Sequence, residues 1–281
     1  MAQGLQDHCT SSDLPIQSDS LISQRLKPKI LLPKFPTSPQ KLISSISTGH
    51  QVPLFSQHLH QYLEMTKPHS THSDVDFANT QPLPFDVYHS FKFMPEGLED
   101  SVEQKDIVKA SPLKGGRFDT VIVLTGDAAK SVSLAGETLN LPFGFLGLTV
   151  LLPTGTCIGH VRILLHLPSK IKLMGSHKFH SPVHRRRTTL AYIEWYNAPV
   201  LTPTDQKVHN MASVQKAPLK NGAPPWSIIP LINIHQSCML FPKFRDLLVG
   251  ELSSLAVLDD CNSFLVNNWV SVYTYKTIYK D

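Results

Sequence analysis

From Phe85 onward the chain reads as short apolar runs punctuated by Gly, Pro, Asn and Asp, the pattern of strands joined by turns. Strands are predicted over Asp119 to Leu124, Phe145 to Leu152, Ile158 to Leu167, Thr189 to Asn197, Ser227 to Ile234, Ser237 to Phe241, Phe264 to Asn267 and Val270 to Ile278. In the third run Val161, Ile163, Leu165 and Leu167 share one parity, while Arg162, Leu164 and His166 share the other. Side chains alternate across a strand, so this run is expected to set one face on a core and leave the other partly wet. In the last run aromatic and β-branched residues such as Val272, Tyr273, Tyr275 and Ile278 occupy both parities, which favours a strand. Regular β-α alternation is missing. The expected fold is therefore mainly β, an antiparallel barrel or sandwich rather than a doubly wound sheet.

Upstream the texture differs. Residues 1–84 are rich in Ser, Pro, His and Gln, and a patch such as Ile30-Leu31-Leu32 is followed at once by Pro33, Pro36 and Pro39. Such a segment buries too little surface to offset the roughly 1–2 kcal/mol lost in fixing each residue's backbone. The expectation is a largely disordered arm over residues 1–84 and a strand-rich globular domain over residues 85–281. One helix is predicted within the arm, from Leu54 to Met65, where Leu54, Phe55, Leu59, Tyr62 and Leu63 recur near helical spacing.

Composition narrows the setting more than the activity. The 281 residues are 41% hydrophobic, enough for a core, but include 22 prolines and only 17% charged residues. A net charge of +4 permits a polyanionic partner without requiring one. Cys9, Cys157, Cys238 and Cys261 form no CxxC pair, so they are expected to be reduced and, near strands, to act as small buried hydrophobes. Asp7, Asp13 and Asp19 near the start do not suit a secretory or mitochondrial leader. The longest apolar stretch, Leu141 to Leu152, contains Pro142 and is too short to span a membrane. A soluble intracellular protein with no membrane partner is expected.

Four ordered segments carry a resemblance. The first is Pro84-Phe85-Asp86-Val87-Tyr88-His89-Ser90-Phe91-Lys92-Phe93 with Lys105-Asp106-Ile107-Val108-Lys109-Ala110, and the second is Gly116-Arg117-Phe118-Asp119-Thr120-Val121-Ile122-Val123. The third pairs Gly159-His160-Val161-Arg162-Ile163 with Leu190-Ala191-Tyr192-Ile193-Glu194-Trp195-Tyr196. The fourth joins Ser227 to Ile234, Leu240-Phe241-Pro242-Lys243-Phe244 and Val257 to Asn267. In this order, over roughly Pro84 to Tyr279, the chain resembles the C-terminal part of proteins encoded by Plavaka-type, CACTA-like DNA transposons of basidiomycete fungi. The resemblance implies a transposon-derived protein, with the zinc-binding region and catalytic acidic core of such proteins lying upstream of the matched part. It thus implies a truncated remnant or tail, active in the nucleus if at all. The insert Leu139 to Leu152 departs from the family pattern. More loosely, an Arg-bearing strand followed by an Ile-x-Trp-Tyr strand resembles bromo-adjacent homology domains, the β-barrels of chromatin proteins.

Candidate chemistry is sparse. Phosphotransfer on DNA needs carboxylates that hold two metal ions about 4 Å apart. Asp119, Asp127, Glu137, Glu194, Asp259 and Asp260 are the candidates, but several sit where acidic residues also make turns. Gly115-Gly116 is too short to cradle a phosphate, and no cofactor or metal is implied. His58-x-His60 and His69-x-x-His72 fall in the arm and call for no ligand. The densest basic feature is the run His177 to Arg187. There Lys178, Arg185, Arg186 and Arg187 are candidates to meet phosphates and Phe179 to stack on a base; the alternative is a solvated loop. Tyr192, Trp195 and Tyr196 are candidates for a peptide-binding aromatic cage, with core and rim of a sheet as the alternative. The expected function is that of a non-catalytic accessory domain binding DNA or chromatin. A protein-interaction barrel docking on a transposase core is the second expectation, and a metal-dependent nuclease the third.

Overall fold

The computed structural model describes residues 29–65, 84–94, 106–113, 116–125, 156–167, 170–172, 178–180, 188–208, 210–219, 224–243 and 257–267. In chain order these form β1 (Lys29–Leu31), β2 (Ser38–Leu42), α1 (Ile43–Gly49), α2 (Phe55–Met65), β3 (Pro84–Tyr88) and β4 (Ser90–Met94). Next come β5 (Asp106–Ser111), β6 (Arg117–Phe118), β7 (Thr120–Leu124), β8 (Thr156–His166), β9 (Lys170–Lys172), β10 (Lys178–His180) and β11 (Thr189–Trp195). They are followed by α3 (Pro203–Val208), β12 (Ser213–Gln215), β13 (Trp226–Pro230), a 3-10 turn (Leu231–Asn233), β14 (Ile234–Pro242), α4 (Val257–Asp260) and β15 (Ser263–Asn267). The predicted runs 145–152 and 270–278 lie outside the described residues.

The fold is mainly β and antiparallel. Its main sheet has nine strands, with the path β12-β15-β14-β7-β8-β11-β13 and with β3 joining β8 and β2 joining β3. A second sheet has the order β1-β4-β5-β6. The main path ends at β12 and β13, so no barrel closes, and the architecture is sandwich-like.

Strand β8 organises both layers. Along one edge it pairs with β11, and it also pairs with β7 through its first half and β3 through its last residues. Both faces are covered. On one, Phe91, Phe93, Val108 and Phe118 of the small sheet pack on Val161, Leu164, Ala191 and Ile193. On the other, Ile46, Val52, Phe55 and Leu59 of the helical segment pack on Phe85, Ile163, Leu165 and Tyr192. Each such apolar side chain contributes about 1.5–3 kcal/mol when buried. A third cluster, around Ile122, Ile158, Tyr196, Cys238 and Phe264, joins β7 and β8 to β14, β15 and α4.

Two expectations change here. The alternation read in residues 158–167 fails at Arg162, because Tyr192 pairs with Ile163 and Ile193 with Val161, leaving Arg162 as an extra, bulged residue. Leu164 is fully buried and Arg162 nearly so, since a strand enclosed on both faces has no wet side. The second change concerns the arm. Residues 29–65 hold two strands and two helices, and Phe55 and Leu59 are among the most deeply buried side chains. These residues reach burial by borrowing a partner surface from the sheet, which local composition does not reveal. The helix predicted from Leu54 to Met65 is present as α2.

Gly159 marks the tightest packing between β8 and β11. A Cβ there would meet Ile193 Cγ2 at 2.2 Å and the Trp195 ring at 3.1 Å. Both neighbours are stiff, so Gly159→Ala is expected to destabilise the fold by about 1–3 kcal/mol. Urea denaturation of Gly159→Ala, Ile193→Ala and the double variant measures this; Ile193→Ala itself costs about 2–5 kcal/mol, and the double variant should lose less than the sum of the two.

Candidate functional site

The only charged side chain among the core residues on β8 is Arg162, and it anchors a buried polar network. Its Nη1 donates to Asp259 Oδ1 at 2.8 Å and its Nη2 to the His50 carbonyl at 3.3 Å. Glu194 Oε2 lies 3.7 Å from Nε, and the guanidinium sits 4.5 Å from the centre of the Phe118 ring. The Arg162 side chain is 4% exposed and that of Asp259 41%, so the pair runs from core to surface. Lys216 joins by donating from Nζ to the Asp259 carbonyl. The bulge has a local cause and a distant use: it turns one extra residue out of the ladder, and that residue ties β8 to α4 and to the end of α1.

Histidines fasten the helical cover. His50 Nδ1 donates to the Arg162 carbonyl at 2.6 Å. His58 Nδ1 shares a hydrogen bond with the Tyr192 hydroxyl at 2.8 Å while its ring stacks on Trp226, centroids 3.8 Å apart. His160 Nε2 donates to the Phe118 carbonyl at 2.9 Å, joining the two sheets. At neutral pH all three are uncharged. Burial pushes His50 and His58 down to about 4 and His160, also beside Arg162, to about 3.

The remaining chemistry is similarly committed. Burial, opposed by Arg162, raises the Glu194 carboxyl above its usual range. Burial also raises the Cys157 and Cys261 thiols and pushes Cys238 up to about 12, so at neutral pH none offers a thiolate. Of the acidic candidates, Asp119 accepts from the Lys109 amide at 2.8 Å and from Arg117 Nε at 3.0 Å, a turn-fixing role. Glu194 and Asp259 are brought together, but around a guanidinium. Asp260 is exposed on α4, and Asp127 and Glu137 lie outside the described residues. Among the described residues no three His, Cys, Asp or Glu side chains converge as metal ligands.

The aromatic candidates separate into three places. Tyr192 packs under the helices, edge-on to Phe55. Trp195 packs at the margin of the core shared by the two sheets and donates from Nε1 to Ser227 Oγ at 2.9 Å. Tyr196 is buried against Phe264 in the third cluster. Alternation separates Trp195 from Tyr192 and Tyr196, and those two tyrosines fall in different clusters, so the three rings do not line one cage.

The basic run is organised differently from a plain loop. Lys178, Phe179 and His180 form β10, which pairs with β9 in the register Lys178↔Lys172, Phe179↔Ile171 and His180↔Lys170. Arg185, Arg186 and Arg187 lie outside the described residues. The ribbon is inserted between β8 and β11, whose ends meet at His166↔Thr189. The sequence reading missed Lys170 and Lys172. Their signal was the alternation Lys170-Ile171-Lys172, matched by Lys178-Phe179-His180.

No family model, curated protein or solved structure matches the chain. Among the described residues no helix is long and apolar enough to cross a membrane.

Two outcomes are expected from the buried network. Arg162→Ala leaves Glu194 partly buried without its cation and removes the tie to α4, a loss of about 3–5 kcal/mol. Asp259→Asn, at a more exposed site, should lose far less in the same urea titration. The second outcome concerns pH. His50 and His58 bind protons less readily in the folded state than at the ordinary value of 6.5, so the stability they contribute is complete above pH 6.5 and is lost as pH falls toward about 4. Melting temperature should drop across that window, and His58→Phe, which retains a ring against Trp226 but cannot protonate, should flatten the drop.

Proposed function

We propose that the chain is a non-catalytic accessory domain of a transposon-derived protein and that it binds DNA, bare or in chromatin, in the nucleus. The observation that carries the reading is the β9–β10 pairing, whose register sets Lys172 opposite Lys178 and Lys170 opposite His180. Like charges directly opposed across a ribbon are destabilising, and an opposition of this kind is relieved by a polyanion. The resemblance to the Plavaka-type proteins supplies the nuclear setting. What supports the non-catalytic part of the reading, among the described groups, is that Glu194 and Asp259 face Arg162 and that burial raises the Cys157, Cys238 and Cys261 thiols.

A second reading has its own observation. On the outer side of β14, Met239 and Phe241 are 50% and 43% exposed, and Phe241 pairs with the half-buried Leu265 of β15. An exposed apolar face of this kind suits docking on another protein, such as a transposase core.

Fluorescence anisotropy with a labelled DNA duplex over a salt series tests the leading reading. The expected result is binding at low salt that weakens linearly in log K against log salt. A chain that binds neither duplex nor single strand at low salt overturns it, and recovery of binding to a transposase core, lost on Phe241→Glu, would then favour the second.

A further inference from the structure

The geometry points to an acid-sensitive latch: protons taken up by His50, His58 and His89 release α1 and α2 from the main sheet while the strand pairings hold. The inference is independent of the nucleic-acid reading and concerns the seam between α1, α2 and the sheets.

The two helices are held from outside. α1 has seven residues and no side-chain cap at Leu42, and neither helix has an acidic residue in its first turn or a basic one in its last. α2 has eleven residues, and helices shorter than about 12–15 residues are marginal in water on their own. Among the described residues no strand pairing reaches them, because that of β2 with β3 ends at Leu42↔Pro84. What remains is the packing of Ile46, Val52, Phe55 and Leu59 and the hydrogen bonds of two histidines across the seam. Leu42 marks the place where backbone pairing gives way to side-chain contact.

His50 is set among basic groups. Its Nδ1 donates to the Arg162 carbonyl, and Arg162 Nη2 donates in return to the His50 carbonyl. The His89 ring meets it edge-on, centroids 6.2 Å apart. His89, between β3 and β4, has Nε2 at 3.1 Å from Ser38 Oγ, while its buried Nδ1 makes no hydrogen bond. Lys41 of β2 acts on His89 in turn. Asp259 and Glu194 are engaged by Arg162, and among the described residues neither imidazole has a carboxylate partner. A proton on either ring thus adds a cation beside Arg162. The Phe118 ring, 5.8 Å from His50, already carries the guanidinium. His58 meets the Tyr192 hydroxyl from β11 and the Trp226 ring from β13, and burial disfavours its charge. Stacking on Trp226 offsets part of that cost, which makes His50 the decisive member.

The order of titration separates the cover from the sheets. Burial, assisted by His89 and Arg162, holds His50 at about 4; burial holds His58 at about 4; and burial, assisted by Lys41, lowers His89. Released into water, each returns toward 6.5, so protons favour the open form. The latch is closed above pH 6.5 and weakens as pH falls toward 4, by about tenfold per pH unit for each imidazole. His160, which joins the two sheets, is held lower, at about 3. The other two apolar clusters contain no residue of α1 or α2.

The test is peptide-resolved hydrogen exchange of the full chain at pH 6.5 and pH 4.5, corrected for intrinsic exchange, with a urea series at each pH. Protection of α1 and α2 is expected to fall by about a hundredfold or more between the two, through an opening with little urea dependence. At pH 4.5 the amides of β8 and β11 should stay at least about tenfold better protected. His50→Asn keeps a donor toward the Arg162 carbonyl and His89→Gln one toward Ser38, and neither new side chain takes up a proton. The double variant should cut the fall by about tenfold or more, and either single variant, which serves alone where the double does not fold, by at least about threefold. Equal protection of α1, α2, β8 and β11 with one urea dependence, meaning that the helices leave only with the whole fold, overturns the inference. Protection of α1 and α2 that does not change with pH overturns it too, as does a fall that survives in full in these variants.

Discussion

The enclosure of β8 is the constraint on which the rest of the structure depends. This strand has partners along both edges, a helical cover on one face and a second sheet on the other. With no wet side available, every polar group it carries must find a partner inside the protein. Arg162 meets this demand at Nη1 and Nη2 through the bulge, which directs its guanidinium toward Asp259, the His50 carbonyl and the Phe118 ring, while Nε makes no hydrogen bond and has only Glu194 Oε2 at 3.7 Å. His160 meets it by donating to the Phe118 carbonyl.

The same constraint explains why residues 29–65 belong to the folded unit. The face of β8 that holds Ile163 and Leu165 would be bare without Ile46, Val52, Phe55 and Leu59. Those side chains come from a stretch with little apolar surface of its own, and the two parts are stable together because each covers the other. Histidines suit this seam because a neutral imidazole offers both a donor and an acceptor at small desolvation cost. They also make the seam sensitive to acid. The ionisable groups of the interior thereby serve cohesion, while Met239 and Phe241 on β14 stay exposed.

The β8–β11 pairing is the longest in the main sheet, and the ribbon is inserted where those strands meet. Along that pairing Leu164, Leu165, Leu190 and Ala191 are all buried, so the pair lies between the packed layers.

The sequence by itself determined the class of the fold, most strand positions from residue 120 onward, the helix now seen as α2, the burial of Cys238 and Cys261, and the basic character of the segment before β11. These are legible because they follow from local periodicity and side-chain type, which act over a few residues. Only the tertiary structure decided that Arg162 is buried, since its partners His50 and Asp259 are 112 and 97 positions away. The same holds for the dispersal of Tyr192, Trp195 and Tyr196 into separate clusters, for the inclusion of residues 29–65 in the core, and for the gathering of Lys170 and Lys172 with Lys178. The physical reason is common to all four: alternation fixes which residues share a face, but what covers that face, where a bulge shifts it, and which strand lies opposite are set by contacts between segments far apart in the chain.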